Sequence, residues 1–325
     1  MRPRLTIVIA LVLAALAAPA QAQSNAQPWP SKPIRAILPF GAGSATDVVA
    51  RLVLDQVSAQ LGQSIVVENR AGAGSTTGTA LVAKAPPDGY TLLATSSAFS
   101  VAPTLYPNLT YDAIRDFAPV AIFTSLPNVM IMPANAPYKS VAEVVAFAKA
   151  NPGKLNFVTL GMGSGVHMAA ERFRLAAGFD AVPVAFKGGA EGITEIIAGR
   201  IDYYFCPVNT SLPFIRDGKV KALAVSTPKR LAVLPDVPTT IEAGFPESDS
   251  TAWVGLLAPA KTPKEIVARL HKEVMAAFAN ENVRAKLLPN GLNPGTLRPD
   301  EFAAQIAEEI KINTALAKAL MHKSK

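Results

Sequence analysis

Cysteine is nearly absent. Cys206 stands alone among 325 residues, so no disulfide can form within the chain and stability has to come from core burial. Histidine is almost as scarce: His167, His271 and His322 lie far apart, and three distant imidazoles with one thiol give no metal-ligand set. Basic residues are scattered, as in Lys229 with Arg230 or Arg284 with Lys286, and never form a block of five, so nucleic-acid binding has no footprint. After the first residues no apolar run reaches the about 18 to 20 residues of a membrane span. No Gly-Lys-Ser/Thr follows a glycine turn, which excludes a Walker phosphate loop. No metal or cofactor is expected.

The chain opens with Arg2 and Arg4, a largely apolar run over residues 5–18, and Ala20-Gln21-Ala22. This is the pattern of a secretory leader, residues 1–22, cleaved after Ala22. No cysteine lies near that point to carry a lipid, so the expectation is a mature protein free in the periplasm. Loss of Arg2 and Arg4 leaves 29 bases against 24 acids, a net charge of +5, which favours solubility and mild attraction for anions. About 300 residues, half of them hydrophobic, can build two domains. Cys206 directly follows the apolar "YYF" and reads as a small buried hydrophobe rather than a reactive thiol, which would need an electropositive, accessible site.

Short apolar runs alternate with helical patterns, the sequence form of βαβ units. Residues 34–40 ("IRAILPF") predict a strand, "ATDVVARLVLDQVSAQLG" a helix ending at Gly62, and residues 64–68 a second strand. In that helix Val48, Val49, Leu52, Val53, Val57 and Leu61 form an apolar stripe. "STTGTALVAKA" predicts another helix, stopped by Pro86-Pro87, and "YTLLATS" another strand. The pattern repeats in "KLNFVTLGMGSGVHMAAERFRLA", and "VPVAFKGG" and "IDYYFCPV" add strands. Residues 120–124 and 129–132 predict a strand passing between two lobes, "STAWVGLLAPA" a return strand, and "TPKEIVARLHKEVMAAFANENV" and residues from Pro299 the final helices. Two crossings make the second lobe an insertion, which suits a hinge.

Two glycine-serine turns, starting at Gly41 and at Gly161, lie 120 residues apart. Each joins a strand to a helix start, where free NH groups and the helix dipole favour an anion. The competing view of the first is a capping box, Ser44-x-x-Asp47, that only closes the helix. A dinucleotide site is the sharper rival, because Gly41-x-Gly43 follows a strand and Glu68 ends the next one. Thr46 replaces the third glycine, however, and Glu68 lies 27 residues after Gly41. The alternative for the second turn is a secreted hydrolase using Ser164 and His167, although Met162 and Val166 stand where a nucleophile elbow needs glycine. Further polar candidates at strand ends are Ser96, Ser97, Lys187 with Gly188, and Asn209. If both lobes point strand C-termini at one cleft, these groups converge with the two turns.

These residues sit in segments that resemble the Bug or TctC family, the periplasmic solute-binding proteins of tripartite tricarboxylate transporters. The resemblance runs through "WPSKPIRAILPFGAGSATDVVAR", "VVENRAGAGSTTGTALVAKAPPDGYTLL", "NPGKLNFVTLGMGSGVHMAAERF", "FKGGAEGITEIIAGRIDYYF" and "LPDVPTTIEAGF". It implies an α/β, two-lobed type II periplasmic-binding-protein fold with a hinge of two crossing strands. Lobe 1 would comprise residues 23–124 and 254–325, and lobe 2 residues 125–253. It implies a monomer that closes on a small carboxylate and serves a membrane permease or a sensor, without catalysis. The ligand-binding loops carried over are Phe40, Gly41, Ala42, Gly43, Ser44, Thr46 and Asp47 in the first lobe, with Asp47 fixing the helix start more than touching ligand. In the second they are Gly161, Gly163, Ser164 and His167, with Lys187 and Gly188. The family often carries Gly-Gly-x-x-Asp in the first loop and an acid where Cys206 follows Phe205. Loss of that acid would remove a partner for an amino group.

Overall fold

The computed structural model describes residues 29–161 and 163–323; the proposed leader lies outside them. The fold begins with a parallel unit of three strands, β1 (Ile34–Leu38), β2 (Ile65–Asn69) and β3 (Thr91–Ser96). β1 lies in the middle, in register Ile34 with Ile65 and Arg35 with Thr91. Helix α1 (Ala45–Leu61) makes the first crossover and α2 (Thr76–Ala83) the second. Gly62 ends α1 in the left-handed conformation, φ 67°, as a C-terminal glycine should. The buried face of α1 is Val49, Ala50, Val53, Leu54 and Val57. Val48, assigned to that stripe from the sequence, is 56% exposed, because the sheet covers an arc centred one residue further round the helix.

The two short runs read as a crossing strand are one element, β4 (Phe117–Pro133). Up to Pro127 it pairs antiparallel with β9 (Thr251–Pro259), which in turn pairs antiparallel with β3. From Asn128 onward it pairs with β7 (Tyr204–Pro207) and β8 (Val220–Val225) instead. One strand therefore belongs to two sheets. The change of neighbours falls at Asn128.

Period-two alternation of β4 fills a core on each face of the second sheet. Met130 and Met132 pack with Phe157, Phe173 and Phe205, while Val129 and Ile131 pack with Ile196, Tyr204 and Cys206. A separate core of Ile37, Leu93, Phe99, Trp253 and Phe302 serves the first sheet. Strands β5 (Asn156–Thr159) and β6 (Val182–Ala185) pair in parallel, followed by α5 (Gly165–Ala177) and α6 (Gly189–Ile197).

Helices beyond those assigned from the sequence include α3 (Ala98–Leu105), α4 (Val141–Ala150) and α7 (Val208–Arg216). α3 and α7 each contain a proline, which argues against a helix in a sequence reading. The stretch after Pro263 is two helices, α8 (Lys264–Ala277) and α9 (Glu281–Leu287). Asn280 breaks it by accepting from the amides of Asn282 and Val283 as the cap of α9. The last helix, α10 (Pro299–Lys323), is tied to the sheet by Glu309, which accepts from Trp253 Nε1 at 2.9 Å and Ser100 Oγ at 2.6 Å.

Candidate functional site

The C-terminal ends of β1, β2, β3, β5 and β6 and the end of β7 all open on one cleft of about 500 Å3. Its first jaw is the turn from β1 into α1. Ser44, with extended φ/ψ of −64° and 157°, is the N-cap of α1 and accepts from the Asp47 amide at 3.2 Å. Its own amide donates to Gly41 O at 3.2 Å. The amides of Ala45 and Thr46 occupy the first two helical positions, which have no intrahelical acceptor. Gly43 supplies the φ of +77° that the turn needs.

The second jaw repeats the first. Ser164 caps α5 with φ −63° and ψ 152°, accepts from the His167 amide at 3.3 Å, and donates its own amide to Gly161 O at 3.2 Å. Gly163 has φ +80°, and a Cβ there would come within 2.5 Å of Leu105 Cδ1 on α3. That closeness brings the second jaw against the first sheet's own helix. Two helix starts thus point their free amides and dipoles into one space, an arrangement that favours an anion from both sides.

Of the residues singled out in the sequence, Phe40, Gly41, Ser44, Thr46, Ser96, Ser97, Gly161, Gly163, Ser164 and Lys187 line this cleft. Ala42, Gly43, Asp47, His167, Gly188 and Asn209 are not among its walls. Asp47 is 4% exposed, and its carboxylate is fully engaged by Gly43 N (2.9 Å), Asn69 Nδ2 (2.9 Å) and Arg51 Nε (3.0 Å). Burial alone would raise its pKa, but the bonds from Asn69, Gly43 and Arg51 hold it below the usual aspartate value. His167 Nδ1 accepts from Gly163 N at 3.3 Å, so the imidazole is neutral with its proton on Nε2. Gly188 caps α6. Asn209 lines a second, larger cavity of about 900 Å3 behind α1, with Arg51, Asp55 and Lys286; neither N-cap serine reaches it.

The hydrolase geometry is not present in the second turn. The Ser164 hydroxyl is bonded to the backbone amide of His167, while the ring serves Gly163, so no nucleophile–base pair forms between these two side chains. Cys206 is fully buried against Val129, Ile131 and Tyr204, and burial pushes its thiol up to about 12. Alternation along β7 turns it into the core, away from the cleft, so an amino group in the cleft would not meet residue 206. The next residue, Pro207, is the one that lines the site.

Several walls escape a sequence reading. The loop of residues 71–75, after β2, closes one side, and Ser75 within it is 3% exposed with φ 81° and no partner for its Oγ. Asn128 is 2% exposed, lines the cleft, and leaves its Nδ2 without a hydrogen bond. A buried orphan donor is costly, about 1–3 kcal/mol, and its position at the strand crossing gave no sequence signal beyond a polar residue inside an apolar run. Among the described lining residues Lys187 is the only charged side chain, and no Asp or Glu is present.

A family model described as the tripartite tricarboxylate transporter family receptor matches residues 49–321. The chain belongs to this family. MatC from Rhodopseudomonas palustris, solved with bound malate, is 33% identical and superposes with a TM-score of 0.80 over 89% of this chain and 100% of that one. Rpa4515 of R. palustris, solved with adipate, is 32% identical with a TM-score of 0.81 over 89% and 97%. The periplasmic binding protein BugD is 31% identical with a TM-score of 0.79 over 90% and 98%. The family and these neighbours make the fold the two-lobed α/β architecture of periplasmic solute-binding proteins, with the change of partners along β4 as one of its crossings.

Proposed function

We propose that this chain is a periplasmic receptor that captures a small carboxylate between two lobes, residues 23–124 with 254–325 and residues 125–253, and presents it to a membrane permease or a sensor. The observation that carries this reading is the pair of matching helix-start cradles, at Ser44 and Ser164, facing one cleft that holds Lys187 and no acid among its described walls. One carboxylate takes NH bonds from both jaws and hydroxyl bonds from Ser44 and Ser164. The lobes close because the ligand makes contacts in the closed form that it lacks in the open one. The receptor acts as a monomer and leaves its ligand chemically unchanged.

The wall chemistry narrows the acid. An ammonium group desolvated here would meet Lys187 and no carboxylate, an unfavourable exchange for its water. Acids without an amino group, of the kind seen in MatC and Rpa4515, therefore bind more tightly than amino acids. A thermal-shift screen of purified protein against succinate, malate, adipate, aspartate and glutamate, with mass analysis of the recovered acid, tests this. Stabilisation by unaltered amine-free acids is expected. Product formation, or stabilisation by none of them, rejects the receptor reading.

A further inference from the structure

The two jaws share a backbone and differ in one side chain. In each, the residue three beyond the capping serine turns back to accept from the amide of the left-handed glycine: Asp47 Oδ2 from Gly43 N at 2.9 Å, and His167 Nδ1 from Gly163 N at 3.3 Å. The two acceptors differ in their charged neighbours. One turn beyond Asp47 stands Arg51, whose Nε lies 3.0 Å from the carboxylate and cancels it. One turn beyond His167 stands Glu171, 5% exposed and committed to Arg174 at 2.8 Å. A carboxylate at 167 would lack a directly bonded cation such as Arg51, because Arg174 is already engaged by Glu171 and Asp180. It would also sit one residue from Val166, a wall of the cleft.

We propose that His167 is a positioning residue whose neutrality matters as much as its hydrogen bond: it closes the second jaw as Asp47 closes the first, without placing a negative charge beside the bound anion. This rests on the carboxylate-binding reading above. It assigns the anion affinity of the second jaw to a side chain that does not touch the ligand. The first jaw serves as the internal control, because the short carboxylate side chain of Asp47 already makes this contact there. Asparagine has the same shape as aspartate, so Asn at 167 can reach Gly163 N with a neutral oxygen.

Three variants separate the parts, titrated calorimetrically with succinate, malate and adipate. His167→Ala loses the acceptor and loosens the turn. His167→Asn restores most of the affinity that His167→Ala loses. His167→Asp restores the turn but adds charge. It should bind more weakly than His167→Asn by roughly tenfold to a hundredfold, the size of an uncompensated charge several ångströms away at intermediate dielectric. That deficit shrinks as salt is raised, whereas the loss in His167→Ala does not. Equal affinity of the Asp and Asn variants, or an Asn variant as weak as Ala, overturns the proposal. Should the wild type bind none of the three acids, the receptor reading falls, and amide exchange at Gly163 still decides the capping role. Protection kept in the Asn and Asp variants and lost in Ala supports it; equal exchange in all of them overturns it.

Discussion

The Ser164 hydroxyl caps α5 and, in the proposed receptor, also holds the ligand. Its oxygen accepts from the His167 amide at 3.3 Å, which leaves its proton free for an anion in the cleft. Ser164→Ala should therefore cost about 1.5 to 3 kcal/mol of carboxylate affinity, the range of a hydrogen bond to a charged group, and about 1 kcal/mol of stability as a lost cap. Calorimetry and urea unfolding of the variant check the two separately, and unchanged affinity would remove the second jaw from the site. His167 carries a pH dependence whose sign follows from its environment. Burial lowers its pKa from 6.5, with Glu171 acting to raise it and Arg174 to lower it. The unfolded chain then binds the proton more readily, so the contribution is fully present above about 6.5 and is lost as pH falls through the folded value. Unfolding measured from neutral pH downward should show a steeper loss in the wild type than in His167→Asn; parallel curves would contradict a buried imidazole that resists protonation.

Elements made of strong local signals were legible in the sequence, and elements made by their neighbours were not. β1, α1, β2, β3 and the β5-turn-α5 unit follow from apolar periodicity and from serine or glycine at the right ends. Both jaws were visible because a cap is local: glycine for φ, serine for the N-cap, and an acceptor three residues on. The role of His167 was harder to read, since it looks like a ligand group until its partner Gly163 is located in space, whereas the capping box already marked Asp47 as fixing the helix start. α3 and α7 carry internal prolines, and the loop of residues 71–75 becomes a wall only by folding against Tyr106. Asn128 was hidden for a related reason, because its meaning lies in β4 exchanging β9 for β7 and β8 beside it. Asn128→Ala should lower carboxylate affinity while leaving the unliganded protein as stable as the wild type or slightly more so, because it removes a buried donor that has no partner there. A fall in unliganded melting temperature with unchanged affinity would make Asn128 a structural residue instead.

For the whole molecule, the decisive feature is that charge enters the cleft from the scaffold and not from a cluster of side chains. Two helix starts and one lysine face the space, and every described acid stays outside it. Such a site suits carboxylates and disfavours an ammonium, in keeping with the proposed receptor and with solved relatives that hold malate and adipate. In the proposed receptor, occupancy is reported through the two-lobed form, since only contacts made across the cleft can shift the balance between open and closed. The most direct test is calorimetric titration of the purified protein with malate and adipate against aspartate and glutamate, followed by recovery of the bound acid. Binding of one unaltered acid per chain, tighter for the amine-free pair, is the expected result. Tighter binding of the amino acids, or no binding of any of the four, would contradict the account.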